Sequence, residues 1–305
     1  MIHSEEHMTS GDTTQSRPRL LQQLEAIRSL VEAGGVTDEA LKAFQQAVLE
    51  HYRVHARPFP WRDISDPYHI LVSEIMLQQT QTSRVEEKFP AFIARFPAVT
   101  DLAGASLHEV LEEWQGLGYN RRAKFLHSMA RDIVEHHAGC VPQTPEALQS
   151  LPGIGPNTAG SIAVYAFDYP AVYIETNIRA LFIHVFFPQS DTVPDEAIHA
   201  LVEKTLYRQK PSLWYNALMD AGVLVKKQYG NPARKSTMHS RQSTFEGSRR
   251  QVRGRIIAAL LEEPGAGKIR LQRTVDAQTS VVSEVLDALM AEGFVRREGR
   301  RYFIA

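Results

Sequence analysis

The sequence predicts an all-α body closed by a small C-terminal winged-helix-like domain. Three observations carry this. Apolar residues recur at helical spacing through residue 228, strand signals are nearly absent before residue 265, and residues 294–304 read as a β-hairpin.

The elements follow in order. The first eighteen residues are polar and lack the apolar core of a signal peptide, so residues 1–37 are expected to form an N-terminal extension, partly disordered. Residues 38–54 (DEALKAFQQAVLEHYRV) have helical periodicity with Thr37 as N-cap. A turn at 57–62 precedes a helix over 67–81, and helices over 106–114, 120–137, 157–167, 175–187, 194–207 and 211–227 complete a body spanning 38–228. Thr144-Pro145-Glu146 is a helix start, with a capping hydroxyl and Pro in the first turn. Residues 229–248 read as a basic linker. In the domain at 249–305, one amphipathic helix (249–263) ends at Pro264–Gly267, a second covers 280–292, and a hairpin turns at Glu298-Gly299. Helices followed by a basic hairpin predict a winged helix-turn-helix with Arg296, Arg297, Arg300 and Arg301 on the wing. Such a wing contacts DNA, or it is the solvated edge of a protein-interaction domain.

Bulk composition narrows the class. The 305 residues suffice for roughly two or three domains, and a hydrophobic content of 43% supports a packed core. No apolar run reaches the ~18 residues of a membrane span. The single cysteine, Cys140, excludes an internal disulfide and a multi-cysteine metal site. The reading is a soluble, monomeric intracellular protein of the cytoplasm or nucleoid, without a membrane partner. Net charge is −1, which alone argues against a nucleic-acid partner, yet residues 226–255 carry nine Lys/Arg against one Glu. Such clustering sets a local field regardless of the total. It is read either as a nucleic-acid footprint or as a solvated basic linker.

The most informative stretch is 151–177, LPGIGPNTAGSIAVYAFDYPAVYIETN. A Gly-rich hairpin, Leu151 to Pro156, opens a helix whose unpaired backbone amides suit a phosphate. Glu175 and Asn177 follow about twenty residues on. A carboxylate held near that phosphate can act on what the phosphate carries, so the segment suggests nucleic-acid binding coupled to chemistry.

Two further segments join it: Phe59-Pro60-Trp61-Arg62 leading to Ser73-Glu74-Ile75-Met76-Leu77-Gln78-Gln79-Thr80, and Gly116-Leu117-Gly118-Tyr119 ahead of a basic helix. Together they resemble the helix-hairpin-helix DNA glycosylases related to endonuclease III, and within them the adenine DNA glycosylase branch. The resemblance covers residues 45–225. It implies a six-helix barrel inserted in a second helical domain built from both ends of the body, with DNA bound across the cleft. It also implies base excision repair, with double-stranded DNA bearing a mismatch or lesion as partner. The base must leave the duplex before its glycosidic bond can be reached.

By that resemblance Glu74 is the general acid, and its apolar flanks would raise its pKa as acid catalysis requires. Glu175 stands where the family carries a catalytic Asp that stabilises oxocarbenium-like charge. The extra methylene implies a re-spaced site, a different substrate or lost activity. Asn177 matches a residue near the sugar and backbone, and also fits a helix start. Asn157 replaces the Schiff-base Lys of bifunctional members, which implies base release without lyase cleavage. Gln79 and Tyr119 match residues that enter the base stack. Trp61 and Arg62 match the pocket lining, while Gly153 and Gly155 let backbone amides approach phosphate. The alternative reading of Tyr119 is a core aromatic after a Gly-rich turn, and Trp61 after Phe-Pro is otherwise most simply core. Asn216 falls where adenine recognition calls for a longer polar side chain.

Relatives carry a four-cysteine iron–sulfur motif after the second domain. This chain reads LVKKQYGNPARKS over 224–236, so no cluster is expected there, and Lys226, Lys227, Arg234 and Lys235 are the candidate replacement phosphate contacts. A monovalent cation in the hairpin is compatible with the resemblance. Adenine opposite guanine or 8-oxoguanine is the first substrate reading. The alternatives are uracil, thymine or another damaged base, or a non-catalytic DNA-binding protein on the same scaffold.

Overall fold

The computed structural model describes residues 18–239 and 245–305. In chain order it contains α1 (Arg19–Gly34), α2 (Asp38–His55), α3 (Pro67–Leu77), α4 (Thr82–Arg95), α5 (Val99–Gly104), α6 (Leu107–Glu113), α7 (Arg121–His136), α8 (Pro145–Gln149) and α9 (Pro156–Phe167). There follow α10 (Thr176–Phe186), α11 (Asp195–Lys204), α12 (Pro211–Tyr229), a 3-10 turn (Pro232–Lys235), α13 (Arg249–Glu262), α14 (Lys268–Val275), α15 (Thr279–Ala291), β1 (Val295–Glu298) and β2 (Arg301–Ile304).

These elements enclose two apolar cores. The first lies among α3 to α9, around Met76, Phe92, Trp114, Leu126, Met129 and Ile162. The second collects α1 and α2 from one side of the chain and α10 to α12 from the other. Phe44 of α2 meets Phe182 edge-on at 5.2 Å and Trp214 at 6.0 Å. The first body is therefore inserted in the second, and the α9–α10 connection passes between them.

The N-terminal expectation needs correction. Residues 1–17 lie outside the described residues, but 19–34 form α1 and bury Leu20, Leu21, Leu24, Ile27 and Val31 against the second core. Burying such side chains stabilises by about 1.5–3 kcal/mol each, enough to order the segment.

The helix expected over 67–81 is broken. Helix α3 stops at Leu77, Gln79 adopts a left-handed φ of 54°, and α4 begins at Thr82. The cause is Arg122, whose guanidinium donates to the carbonyls of Ile75 (2.9 Å), Met76 (2.8 Å) and Gln78 (2.6 Å). Satisfying orphan carbonyls this way ends a helix without a glycine cap.

The basic segment after α12 is not a loose linker up to residue 239. Val193 donates to the Lys235 carbonyl at 2.8 Å and Thr237 to the Val193 carbonyl at 3.1 Å, which lays the 3-10 turn along α10 and α11. Arg241 lies outside the described residues. The C-terminal domain has the expected helices and hairpin, with Val295 paired to Ile304 and Glu298 to Arg301. Helix α14 is an addition: only Leu271 and Val275 are buried in it, so its apolar signal is weak. Leu260, Leu271, Leu286, Leu289 and Phe294 run continuously into the first core, so the domain is packed onto the barrel.

Candidate active site

Glu74 sits on α3 where that helix packs on α9, and its neighbours Ser73, Ile75 and Met76 are buried. Its carboxyl lies in the crowded junction, beside the Ser161 hydroxyl of α9. Burial pushes its pKa up to about 8; the Ser161 hydrogen bond opposes the rise, and the charge of Glu175 adds to it. The two acids that the sequence singled out, 101 positions apart, therefore sense one another across the α3–α10 junction.

Glu175 occupies the N-cap position of α10 but does not cap the helix with its side chain. Its surface is open to solvent, while the protein around its carboxyl raises its pKa by desolvation and Arg179 partly offsets that rise. Arg179 is itself held by Asp195, at 3.0 and 2.5 Å, and Ser236 donates to the same carboxylate at 2.7 Å. The first turn of α10 is thereby fastened to α11 and the segment after α12.

The hairpin lies next to these acids. Gly153 is left-handed (φ 79°), and a Cβ there would meet the Phe125 ring at 2.6 Å, so the turn requires glycine. Gly155 precedes α9 as its N-cap, and Pro156 starts the helix without an N–H. Asn157 is exposed and donates to the Ile174 carbonyl at 3.4 Å, one residue from Glu175. Gln78 donates to Thr158 at 3.0 Å, joining the end of α3 to the first turn of α9.

Asn177 lies in the first turn of α10. Its Oδ1 accepts from Lys226 Nζ at 3.1 Å. A Cβ on Gly222 of α12 would come within 2.2 Å of the Asn177 carbonyl oxygen, so α10 and α12 touch backbone to backbone at this point. Lys235 donates to the Ser190 carbonyl at 2.9 Å. Two of the four cations expected to face phosphate thus also hold the protein together.

The turn before α3 holds Trp61 and Arg62. Trp61 is half-buried, stacked on Phe59 at 4.8 Å and edge-on to Phe89 at 6.2 Å. Arg62 is fixed by Asp220 of α12 and lies 4.9 Å above the Phe59 ring. Asn216 is half-buried one helical turn before Asp220, on the same face of α12.

Gln79 and Tyr119 are both at left-handed φ, 54° and 49°. For residues with a Cβ this conformation is sparsely populated and marks an over-determined turn. Arg122 determines both turns. Besides the carbonyls that end α3, it donates to Thr80 Oγ1 (2.9 Å) and to the carbonyls of Leu117 (3.2 Å) and Gly118 (3.1 Å). Burial without a carboxylate lowers its pKa to about 10.

Sequence reasoning missed Arg122, Asp220, Arg57 and Tyr165. Tyr165 of α9 is enclosed near Glu74, which with burial raises its phenol pKa, and its ring meets Tyr173 edge-on at 6.5 Å. Only the Arg122 position carried a local signal, an arginine three residues after the Gly-Leu-Gly-Tyr turn. Among the described residues no three His, Cys, Asp or Glu side chains converge to hold a metal ion, and no helix is long and apolar enough to cross a membrane.

Comparison with known proteins gives consistent matches. A family model described as HhH-GPD superfamily base excision DNA repair protein matches residues 72–206. The chain is 32% identical over 274 residues to the adenine DNA glycosylase of Mycobacterium tuberculosis, covering 82% of this chain and 89% of that protein. It is 34% identical over 195 residues to the mouse adenine DNA glycosylase, covering 60% of this chain but only 38% of the longer mouse protein. Among solved structures, a thermostable thymine-DNA glycosylase superposes with a TM-score of 0.53 at 25% identity, over 60% of this chain and 85% of that one.

Proposed function

The chain belongs to the HhH-GPD superfamily of base excision DNA repair proteins, and from that premise we propose that it is a monofunctional DNA glycosylase acting on a mispaired adenine. The observation that carries the reading is Glu74: a carboxyl kept protonated near neutral pH, beside a second carboxylate and next to a helix start that can receive phosphate.

The chemistry follows from these groups. An adenine rotated out of the duplex enters the junction between the two bodies. Glu74 gives its proton to a ring nitrogen, and the glycosidic electron pair leaves with the base. Positive charge then develops on the sugar and is offset by the Glu175 carboxylate. Water adds to the sugar carbon, and Glu74, now ionised, takes up the proton that this water releases. Asn157 has no amine to form an imine with the opened sugar, so the abasic strand stays intact. Gly153, Gly155 and Asn177 hold the backbone of the extruded nucleotide. Gln79 and Tyr119 fill the vacated stack, and Trp61 and Arg62 with Asn216 bound the base. The hydrolysis needs no cofactor.

The test is single-turnover base release from duplexes with adenine opposite guanine, 8-oxoguanine or thymine, with Glu74→Gln as control. The proposal expects release from a mispaired adenine by the wild type, loss of release in the variant, and no borohydride-trapped adduct. Binding without release from any duplex would leave a DNA-binding scaffold without catalysis. A second reading, thymine or uracil opposite guanine, is favoured by the short amide of Asn216 and by the likeness to a thymine-DNA glycosylase. The same panel decides it.

A further inference from the structure

The C-terminal domain is not tethered passively. Arg121 of α7 donates to Glu292 at 2.8 and 2.6 Å, and Arg253 of α13 donates to the same carboxylate at 2.9 and 2.5 Å. These two bidentate pairs hold the Glu292 pKa down to about 2. Lys124 of α7 reaches the Glu292 carbonyl, and both Lys124 and Arg253 lie over the Phe294 ring, at 5.2 and 4.8 Å. The domain is therefore seated on the barrel helix that begins just after Tyr119.

From that seat Arg250, in the first turn of α13, donates to the Tyr119 hydroxyl at 2.6 Å. Its guanidinium lies 5.3 Å from the Tyr119 ring centre, and Arg122 lies 5.5 Å from the same centre. It also lies 5.6 Å from the ring of Phe245, which is exposed. Tyr119 itself stands on left-handed backbone and is only half-buried. A side chain that enters a base stack loses rotamer freedom on doing so; one fixed beforehand does not.

We infer that Arg250 of the winged domain is a positioning residue for Tyr119, holding its ring ready for insertion beside a mispaired nucleotide. The inference deepens the glycosylase reading and rests on its placement of Tyr119 at the DNA. The contact acts on discrimination. Any duplex meets the basic surface, but only a mismatched step opens readily enough to admit the ring.

The test uses the full chain and duplexes carrying 2-aminopurine, in place of adenine opposite guanine or in a matched pair. Arg250→Ala and Tyr119→Phe are each expected to lower the mismatched-to-matched affinity ratio about fivefold and to reduce the fluorescence rise of the extruded base. Tyr119→Phe keeps the ring and deletes only the hydroxyl, so it guards against a folding artefact. The double variant is expected to be no worse than either single one, and Arg250→Lys to restore part of the loss. Additive losses, equal weakening toward both duplexes, or an unchanged ratio in either single variant would overturn it. These readouts need no turnover. Absence of base release from the wild type would sink the glycosylase reading and leave this test standing.

Discussion

Arg62 and Asp220 form a two-armed ion pair, with both N···O distances at 2.8 Å and side chains only 8% and 3% exposed. The same carboxylate takes the Arg57 backbone N–H at 3.0 Å and its Nε at 2.6 Å. The pair bolts the turn carrying Trp61 to α12, and so to the face that carries Asn216.

Asp220→Ala leaves a buried guanidinium without its counter-charge. Breaking such a pair costs about 3–5 kcal/mol, and urea denaturation should read a loss of that order. The pH dependence has a definite sign. Burial opposes ionisation of Asp220, but the bonds from Arg62 and Arg57 overcome it and lower its pKa. Its contribution is thus present above the ordinary carboxylate range and disappears as pH falls through the lowered value. An alanine variant as stable as the wild type at pH 7 would remove the turn's anchor from the account.

Base release should fall as pH rises through about 8, because only protonated Glu74 is a proton donor. The expected profile drops about tenfold per pH unit above that point, and it also falls on the acid side as Glu175, whose pKa burial raises, takes up a proton. Stability falls in the same direction. With a folded pKa above its ordinary 4.5, Glu74 stabilises fully at low pH, and that contribution drains away between about 4.5 and 8. Glu74→Gln, catalytically dead, should be more stable than the wild type at pH 8 by on the order of 2 kcal/mol, after discounting for partial solvent access. The two should match at pH 4.

Glu175→Gln removes the charge that faces the developing cation and keeps the shape. A loss of about a hundredfold in kcat with little change in KM is expected. Glu175→Asp tests the spacing. If the site is built for the longer side chain, shortening it by one methylene should also lower kcat, since a displacement of about 1 Å can cost up to a hundredfold. A faster Asp variant would mean that Glu is a compromise here.

Gly222→Ala drives a methyl group against the Asn177 carbonyl, a backbone atom that cannot rotate away. Helices α10 and α12 must separate, with a stability loss of about 1–3 kcal/mol or more. Because Glu175 and Asn177 sit at the start of α10, kcat should fall even where the variant remains folded. Calorimetry and single-turnover rates on the same preparation separate the two effects.

Much of this architecture was legible in the sequence because helices advertise themselves locally. The 3.6-residue period gave α2 and α9 to within a residue or so, the capping hydroxyl of Thr37 marked a true start, and the terminal hairpin was visible in its turn. The elements that escaped had weak local signals. Pro90 lies inside α4, α14 buries only two side chains, and α1 was masked by the polar stretch before it. The early end of α3 was invisible for another reason, since the group that ends it stands 45 residues beyond Leu77.

By itself the sequence determined the helical class and the terminal hairpin, because those depend on residue type and short spacing, while its resemblance to a known family singled out Glu74 and Glu175 and the chemistry expected of them. Tertiary structure alone decided that Glu74 is held protonated beside Glu175, that Arg122 ties two distant turns together, and that a C-terminal arginine grips Tyr119. Each of these depends on desolvation or on contact between groups far apart in the chain. Such quantities exist only once the chain has closed around them.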